Sequence, residues 1–337
     1  MSKPSYLLIG AICAAAWSLA ACTPALKDYA PVRAFIDNLS AKHQFNPDQL
    51  AQLFAEVEIK DDIIKRMTSP AEAMPWYRYR KIFLTDARIA GGVQFWRDHQ
   101  AALSKVAQAT GVPAEIIVAI IGVETAYGAN TGHYRVLDAL STLAFAYPPR
   151  SAFFLGELEE FLLLCREEHL NPLQPTGSYA GAMGMPQFMP SSYRHYAQDF
   201  DNDQHRDIWH NPDDVIASVA HYFMLHHWQA GQPIAERVTV LQPAKPYQHA
   251  LSGDLKPDLR LAELESLNLK IAQPLSPDTK VKLMAFVQQP LAAVSNTELW
   301  AGFDNFYVIT RYNHSPLYAL AVYQLSLSIL NKKDTFP

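Results

Sequence analysis

Apolar residues along this chain recur mostly with the period of a helix. Val32, Phe35, Ile36 and Leu39 fall on one helical face, and Asn46-Pro47-Asp48 reads as a cap followed by a first-turn proline. Helical patterning continues to about residue 110. A further helix is expected from Pro113 through Ile116-Ile-Val-Ala-Ile-Ile-Gly-Val123, eight residues with no polar side chain, which end on a single carboxylate, Glu124. Residues 138–169 alternate loop and helix signals around Tyr147-Pro-Pro-Arg150, and Asp213 to Trp228 reads as another helix. Prolines at 243, 246, 257, 274 and 277 then separate short runs such as Arg237-Val-Thr-Val-Leu241 and Leu267-Asn-Leu-Lys-Ile271, the pattern of strands in a small β-rich insertion. After it, Tyr307–Asn313 and Leu317–Leu330 return to the helical style. The pattern predicts a mainly α (α+β) protein in five segments: a leader over 1–21, a helical N-terminal unit over 22–110, a core over 111–232, the β-rich insertion over 233–300, and a C-terminal part of the core over 301–337.

Composition adds a compartment. The chain has 337 residues and is 49% hydrophobic, enough for a large core. Its start is different in kind: Lys3, an apolar run from Tyr6 to Trp17, then Leu19-Ala-Ala-Cys22. That run is short for a membrane span and has the small-residue ending of a secretory signal. Leu-Ala-Ala-Cys also resembles the lipobox of bacterial lipoproteins, which implies cleavage before Cys22 and lipidation of its thiol. Without the leader the chain carries a net charge of about −6, against −5 for the whole. Nucleic acid is an unsuitable partner for such a balance. Cys165 is then the one cysteine without a leader or anchor role, and inside Phe161-Leu-Leu-Leu-Cys it reads as a small buried hydrophobe.

A carboxylate entering an apolar site costs several kcal/mol unless it is paired, hydrogen-bonded or kept protonated. Glu124 is therefore either compensated or poised for chemistry. Gly122, two positions earlier, marks a place where another backbone or a ligand must come close, since glycine in a helix costs about 1 kcal/mol. A second feature is Gly177-Ser-Tyr-Ala-Gly-Ala-Met-Gly-Met-Pro-Gln-Phe-Met-Pro-Ser-Ser-Tyr193, which combines three glycines, three methionines and the isolated amide of Gln187. It reads either as a groove wall or as a connector whose methionines fill core gaps.

Gly122-Val-Glu-Thr-Ala-Tyr-Gly128, Gly181-Ala-Met-Gly-Met-Pro-Gln-Phe-Met-Pro-Ser-Ser-Tyr193 and Arg311-Tyr-Asn-His-Ser-Pro-Leu-Tyr318, in this order, resemble the B-type lytic murein transglycosylases, periplasmic enzymes with a lysozyme-like core. The resemblance implies cleavage of the β-1,4 bond between N-acetylmuramic acid and N-acetylglucosamine in peptidoglycan, leaving a 1,6-anhydromuramyl end and needing no cofactor for catalysis. It makes Glu124 the single catalytic acid and base, where most glycosidases use two carboxylates. It places Ser178 and Gln187 near Glu124 and the muramyl acetamido group, Tyr222, Tyr312, Tyr318 and Asn313 along the subsites, and Tyr79 and Arg150 against sugar or stem peptide. Where such enzymes often carry two adjacent arginines this chain has Pro149-Arg150, so stem-peptide recognition is expected to differ.

Asp199-Phe-Asp201-Asn-Asp203-Gln-His205 sets acids at the first, third and fifth positions of an EF-hand-like loop, with the His205 backbone carbonyl at the seventh. The sixth position is Gln204 instead of glycine, and the twelfth is His210 instead of glutamate. The resembled family has a longer loop, which implies Asp214 as the last ligand, with Asp213 second, and calcium as a structural ion. Zinc is not expected: no His-Glu-x-x-His pattern exists, and His221 and His226 lie about 140° apart on a helix. Two rival readings remain: a hydrolytic muramidase, with Glu157, Glu159, Glu160 or Asp138 as the second carboxylate, and a peptidoglycan-binding lipoprotein that does not cut. The expected setting is the periplasmic face of the outer membrane, since Thr23 follows Cys22 where inner-membrane retention uses aspartate. The partners expected are glycan strands and, through the lipid, the membrane. The protein is expected to be a monomer.

Overall fold

The computed structural model describes residues 26–68, 74–243, 245–251, 253–288 and 297–335. The leader and Cys22 lie outside the described residues. Contacts divide the chain after Glu56. The first unit holds α1 (Ala30–His43) and α2 (Pro47–Ala55), and the Asn46 side chain caps α2 by accepting from the backbone N–H groups of Asp48 at 2.9 Å and Gln49 at 3.1 Å. With Pro47 in the first turn this is the start that the sequence announces.

The second unit begins with α3 (Asp61–Thr68), α4 (Trp76–Phe83), α5 (Asp86–Asp98), α6 (Gln100–Thr110) and α7 (Ala114–Thr125). A two-stranded ribbon pairs β1 (Tyr134–Arg135) with β2 (Thr176–Gly177), enclosing α8 (Val136–Ala146) and α9 (Ser151–Glu167) in sequence; α10 (Pro190–Tyr196) and α11 (Pro212–Leu225) follow. The division falls after Glu56, not near residue 110, because α5 packs on α7 and α6 packs on both α7 and α11. Helices α5 and α6 thus bury their apolar faces against the core.

Next come β3 (Ala235–Val240), β4 (Leu259–Arg260), α12 (Leu261–Ser266), β5 (Leu269–Lys270), β6 (Lys280–Val287) and β7 (Thr297–Gly302). These strands form one antiparallel sheet in the order β4-β6-β7-β3-β5, over a small core that includes Leu264, Leu269, Val281, Leu283 and Ala301. Lys282 in β6 is 2% exposed and pairs with Asp258 at 2.9 Å, which compensates its buried charge. The chain then closes with α13 (Asp304–Tyr312) and α14 (Pro316–Thr335), and α14 lies against α4, α5 and α7.

Helix α7 is the axis of this arrangement. Its residues from Ile116 to Val123 are all buried, as a helix apolar on every side must be. Gly122 has a specific cause. A Cβ at this position would lie 2.5 Å from the Tyr127 hydroxyl and 2.7 Å from its Cζ, so the close neighbour is this ring of the same chain and not a ligand. Tyr127 lies across α7 and α5 and donates its hydroxyl to the Arg88 carbonyl at 2.8 Å.

Candidate active site

Glu124 stands in the last turn of α7, which stops at once after it. Ala126 and Tyr127 both take left-handed backbone conformations, with φ of 51° and 62°, and these turn the chain out of the helix. Thr125 then fixes the exit. Its hydroxyl donates to the Met185 carbonyl at 2.9 Å and accepts from the Gly128 N–H at 3.0 Å, which ties the end of α7 to the glycine-rich segment. That segment runs close to the acidic loop: the Met185 N–H donates to the Ile208 carbonyl at 2.9 Å, and at Gly184, with φ of 63°, a Cβ would run into the same carbonyl. Met183 is fully buried, so at least one methionine fills core.

Among the described residues the half-buried Glu124 has one side-chain partner, Tyr318 in the first turn of α14, whose hydroxyl donates to Oε1 at 2.6 Å. Burial pushes the Glu124 carboxyl up to about 7, and the Tyr318 hydrogen bond opposes this in part by favouring the charged form. Tyr318 itself is 2% exposed, and burial and the Glu124 charge hold its phenol far above its ordinary value, so it stays a donor.

Tyr312 stacks nearly parallel to Tyr318, with centroids 6.5 Å apart, and donates its hydroxyl to the Pro186 carbonyl at 2.6 Å. It too lies within the field of Glu124. Tyr79 on α4 stacks on Trp76 and is near enough to Tyr318 to act on its ionisation. Gln187 has φ of 51°, and its Nε2 donates to the carbonyls of Gly184 at 2.9 Å and Thr131 at 3.1 Å, which leaves Oε1 as the atom it can offer. Asn313 is exposed at the end of α13.

Three expected positions differ in role. Tyr222 is 7% exposed and donates its hydroxyl to the Arg311 carbonyl at 2.6 Å; packed among Tyr196, His226 and Tyr312, it is a strut behind the site. The Ser178 hydroxyl accepts from the N–H groups of Ala182 at 3.0 Å and Ala180 at 3.3 Å and so shapes its own loop. Arg150 lies over its helix neighbours Phe153 and Phe154, at 4.4 and 5.3 Å from the ring centroids. Arg88 and Thr125 escaped the sequence reading. Arg88 donates to the Gly122 carbonyl at the end of α7, and nothing about a lone arginine 34 positions away signals that.

Three of the four candidates for a second carboxylate have partners elsewhere. Asp138 accepts from Arg135 at 2.7 and 2.9 Å and from the Glu58 N–H at 3.0 Å. Glu157 accepts from the N–H and hydroxyl of Ser191, and Glu160 pairs with Arg194. No carboxylate among the described residues contributes to the shift at Glu124.

In the acidic loop, ligand atoms of Asp199, Asp201 and Asp203 converge within 4.8 Å of one another. Backbone N–H groups of Asp203 and Gln204 donate to Asp199, and the Asn211 amide donates to Asp201 at 3.1 Å. Gln204 has φ of 75°, the conformation glycine reaches more cheaply. Among the described residues no lysine or arginine pairs with these three acids, so the oxygen-rich set suits a hard dication. Asp214 is placed differently from the expectation. It is fully buried, and its two oxygens accept from the N–H groups of Phe200 at 2.8 Å and Asp207 at 2.9 Å, so that it belts the loop from behind, outside the converged group. Burial pushes its carboxyl up to about 6. The His205 N–H donates to Asp203 at 2.8 Å, and its side chain is exposed.

Residues 27–327 match the transglycosylase SLT domain. The chain is 41% identical over 305 residues to membrane-bound lytic murein transglycosylase B of Escherichia coli (strain K12), covering 88% of this chain and 81% of that protein. Among solved structures, the soluble lytic transglycosylase SltB1 from Pseudomonas aeruginosa superposes with a TM-score of 0.84 at 47% identity, over 90% of this chain and 99% of the other. The Escherichia coli lytic transglycosylase Slt35 in complex with calcium superposes at 0.81 and 40% identity, over 90% and 93%. With the fold, the acid in the last turn of α7 and the glycine-rich segment in place, the chain belongs to the transglycosylase SLT-domain family, among its B-type lytic transglycosylases.

Proposed function

We propose that Glu124 alone carries both proton transfers of peptidoglycan cleavage. The chain is a lytic murein transglycosylase. In the proposed step the protonated Glu124 gives its proton to the glycosidic oxygen as the C1–O4 bond breaks, so the leaving N-acetylglucosamine departs as an alcohol. The muramyl 6-hydroxyl then closes onto C1, and its proton passes to the Glu124 carboxylate, which restores the acid. The observation that carries this reading is an acid raised to about 7 by burial, held by one tyrosine and, among the described residues, influenced by no second carboxylate. A hydrolytic muramidase gains no support from Asp138, Glu157 or Glu160, given their partners. Tyr318 would set the Glu124 rotamer, and Tyr312, Tyr79, Gln187 and Asn313 would line the sugar subsites. Digestion of purified sacculi tests the scheme through product mass: muropeptides lighter by one water than hydrolysed ends are expected, and hydrated ends would refute it.

Asp199, Asp201 and Asp203 would hold calcium, with the His205 carbonyl and, after a shift of its side chain, Asp214 as further ligands. The ion would stabilise the loop, which packs through Ile208 on the glycine-rich segment, and would take no part in catalysis. A ligand bound only by the folded state adds about 2.7 kcal/mol at 100 times its dissociation constant. Calcium at millimolar concentration should therefore raise Tm by a few degrees over EDTA. The rise should vanish when Asp201 and Asp203 are both changed to Asn. The left-handed Gln204 predicts weak binding, so an unchanged melt at millimolar calcium would remove the ion from the account.

Membrane attachment would come from lipidation of Cys22, facing the periplasm. Cys22→Ser should move the protein from the membrane fraction to the soluble fraction; retention at the wild-type level would exclude the anchor.

A further inference from the structure

A cavity of about 510 Å³ lies apart from Glu124, between the end of α9, the 170–177 segment and residues 205–210. Its lining shares no residue with the cluster of Glu124, Tyr318, Tyr312 and Gln187. Its size is that of a pocket for a small ligand, where fixed aromatic faces and a few polar groups usually converge. Both features are present. Tyr193 and Trp209 supply the rings, with centroids 6.1 Å apart. The Tyr193 hydroxyl donates to the Arg206 carbonyl at 2.7 Å and the Trp209 indole N–H to the Thr176 carbonyl at 3.0 Å, so both rings are held; Tyr193, 1% exposed, backs the wall, and the half-buried Trp209 is the ring whose face remains to offer.

The walls are fixed as firmly. Asp207 accepts from the N–H groups of Trp209 and His210, each at 2.9 Å, and Arg206 forks onto Glu168, with Nε to Oε1 at 2.7 Å. A pocket already rigid loses little entropy on binding. Its lining is net acidic. Arg206 is matched by Glu168, and Asp207 remains within a chain of net charge −5, so a carboxylated ligand finds no spare cation here. The exposed Gln174 and His210 stand on the rim, where they can exchange hydrogen bonds with hydroxyl and amide groups.

We propose that this cavity is a second glycan site, which takes an uncharged N-acetylhexosamine unit of the strand with the sugar's apolar face on Trp209. The muramyl residue, with its carboxyl or stem peptide, fits the charge balance less well than N-acetylglucosamine. Such a site would hold the enzyme on its polymer while Glu124 cuts elsewhere. The inference rests on peptidoglycan being the substrate.

The test uses the full soluble chain carrying Glu124→Gln, titrated with N,N′-diacetylchitobiose and followed by calorimetry and amide chemical shifts. Two separable binding events are expected, one shifting residues near Gln187 and one shifting residues 205–210. Trp209→Ala should weaken the second about tenfold and leave the first unchanged. If Trp209→Ala melts early, Gln174→Ala at the exposed rim should still weaken the second event. With Glu124 intact, Trp209→Ala should cleave short soluble glycans at the wild-type rate and bind sacculi less well. A single event confined to the Glu124 site would overturn the inference, as would shifts at 205–210 given by a free stem peptide and not by the disaccharide. Anhydro products from the wild-type chain separate the two failures: with such products and a silent cavity only this inference falls, and without them the catalytic reading falls too.

Discussion

Glu124→Gln lowers turnover of sacculi by at least about 100-fold while glycan binding is kept, because the amide fills the same space and cannot deliver a proton. A general acid at the end of an apolar helix works near neutral pH only if its pKa is brought there, and burial of Glu124 does so by raising it to about 7. The rate should fall as pH rises through about 7, as the acid form needed for the first transfer is lost. Tyr318→Phe removes the hydrogen bond that favours the carboxylate, so this limb should move to higher pH. Stability falls in the same direction. The folded state binds the Glu124 proton more tightly than the unfolded chain, so the wild type loses stability as pH climbs from the ordinary carboxylate range through about 7. Glu124→Gln escapes that loss and should melt above the wild type at pH 8. A mutant with turnover near wild type would end the assignment, and one inactive but no more stable at pH 8 would end the account of its pKa.

Gly122→Ala is expected to destabilise the protein by about 1–3 kcal/mol, the usual range for overpacking, although alanine by propensity alone would favour the helix by about 1 kcal/mol. The added Cβ would lie 2.5 to 2.8 Å from three atoms of the Tyr127 ring, which is held in turn by the Arg88 carbonyl. Because Tyr127 follows Glu124 by three residues, the shift should also disturb the acid and lower activity. Thermal melts of a double-mutant cycle with Tyr127→Leu check this: the pair should cost clearly less than the sum of the single changes. Additive losses would mean that some other contact demands glycine at this position.

Much of this protein is written locally. The cap at Asn46-Pro47, the eight-residue apolar run that can only be a core helix, the short strands between prolines and the carboxylate at the end of α7 all follow from nearest-neighbour chemistry and periodicity. So does the alternation of acids in the 199–205 loop, including the strain that falls on Gln204. Other features depend on residues distant in sequence. Tyr318 reaches Glu124 across 194 positions, and Tyr312 reaches Pro186 across 126. In the sequence Tyr222 looks like any groove tyrosine; only packing puts it behind the site with its hydroxyl on Arg311. Asp214 looks like a ready ligand in the sequence, and only packing shows both its oxygens engaged by backbone N–H groups, so that it would have to shift to reach an ion. Asp138 and Glu157 look available until Arg135 and Ser191 claim them. Which acids the chain possesses, and what approaches them along the backbone, is a property of sequence; which one stays unpaired and close to neutral is a property of burial and partners, and these exist only once distant segments have packed.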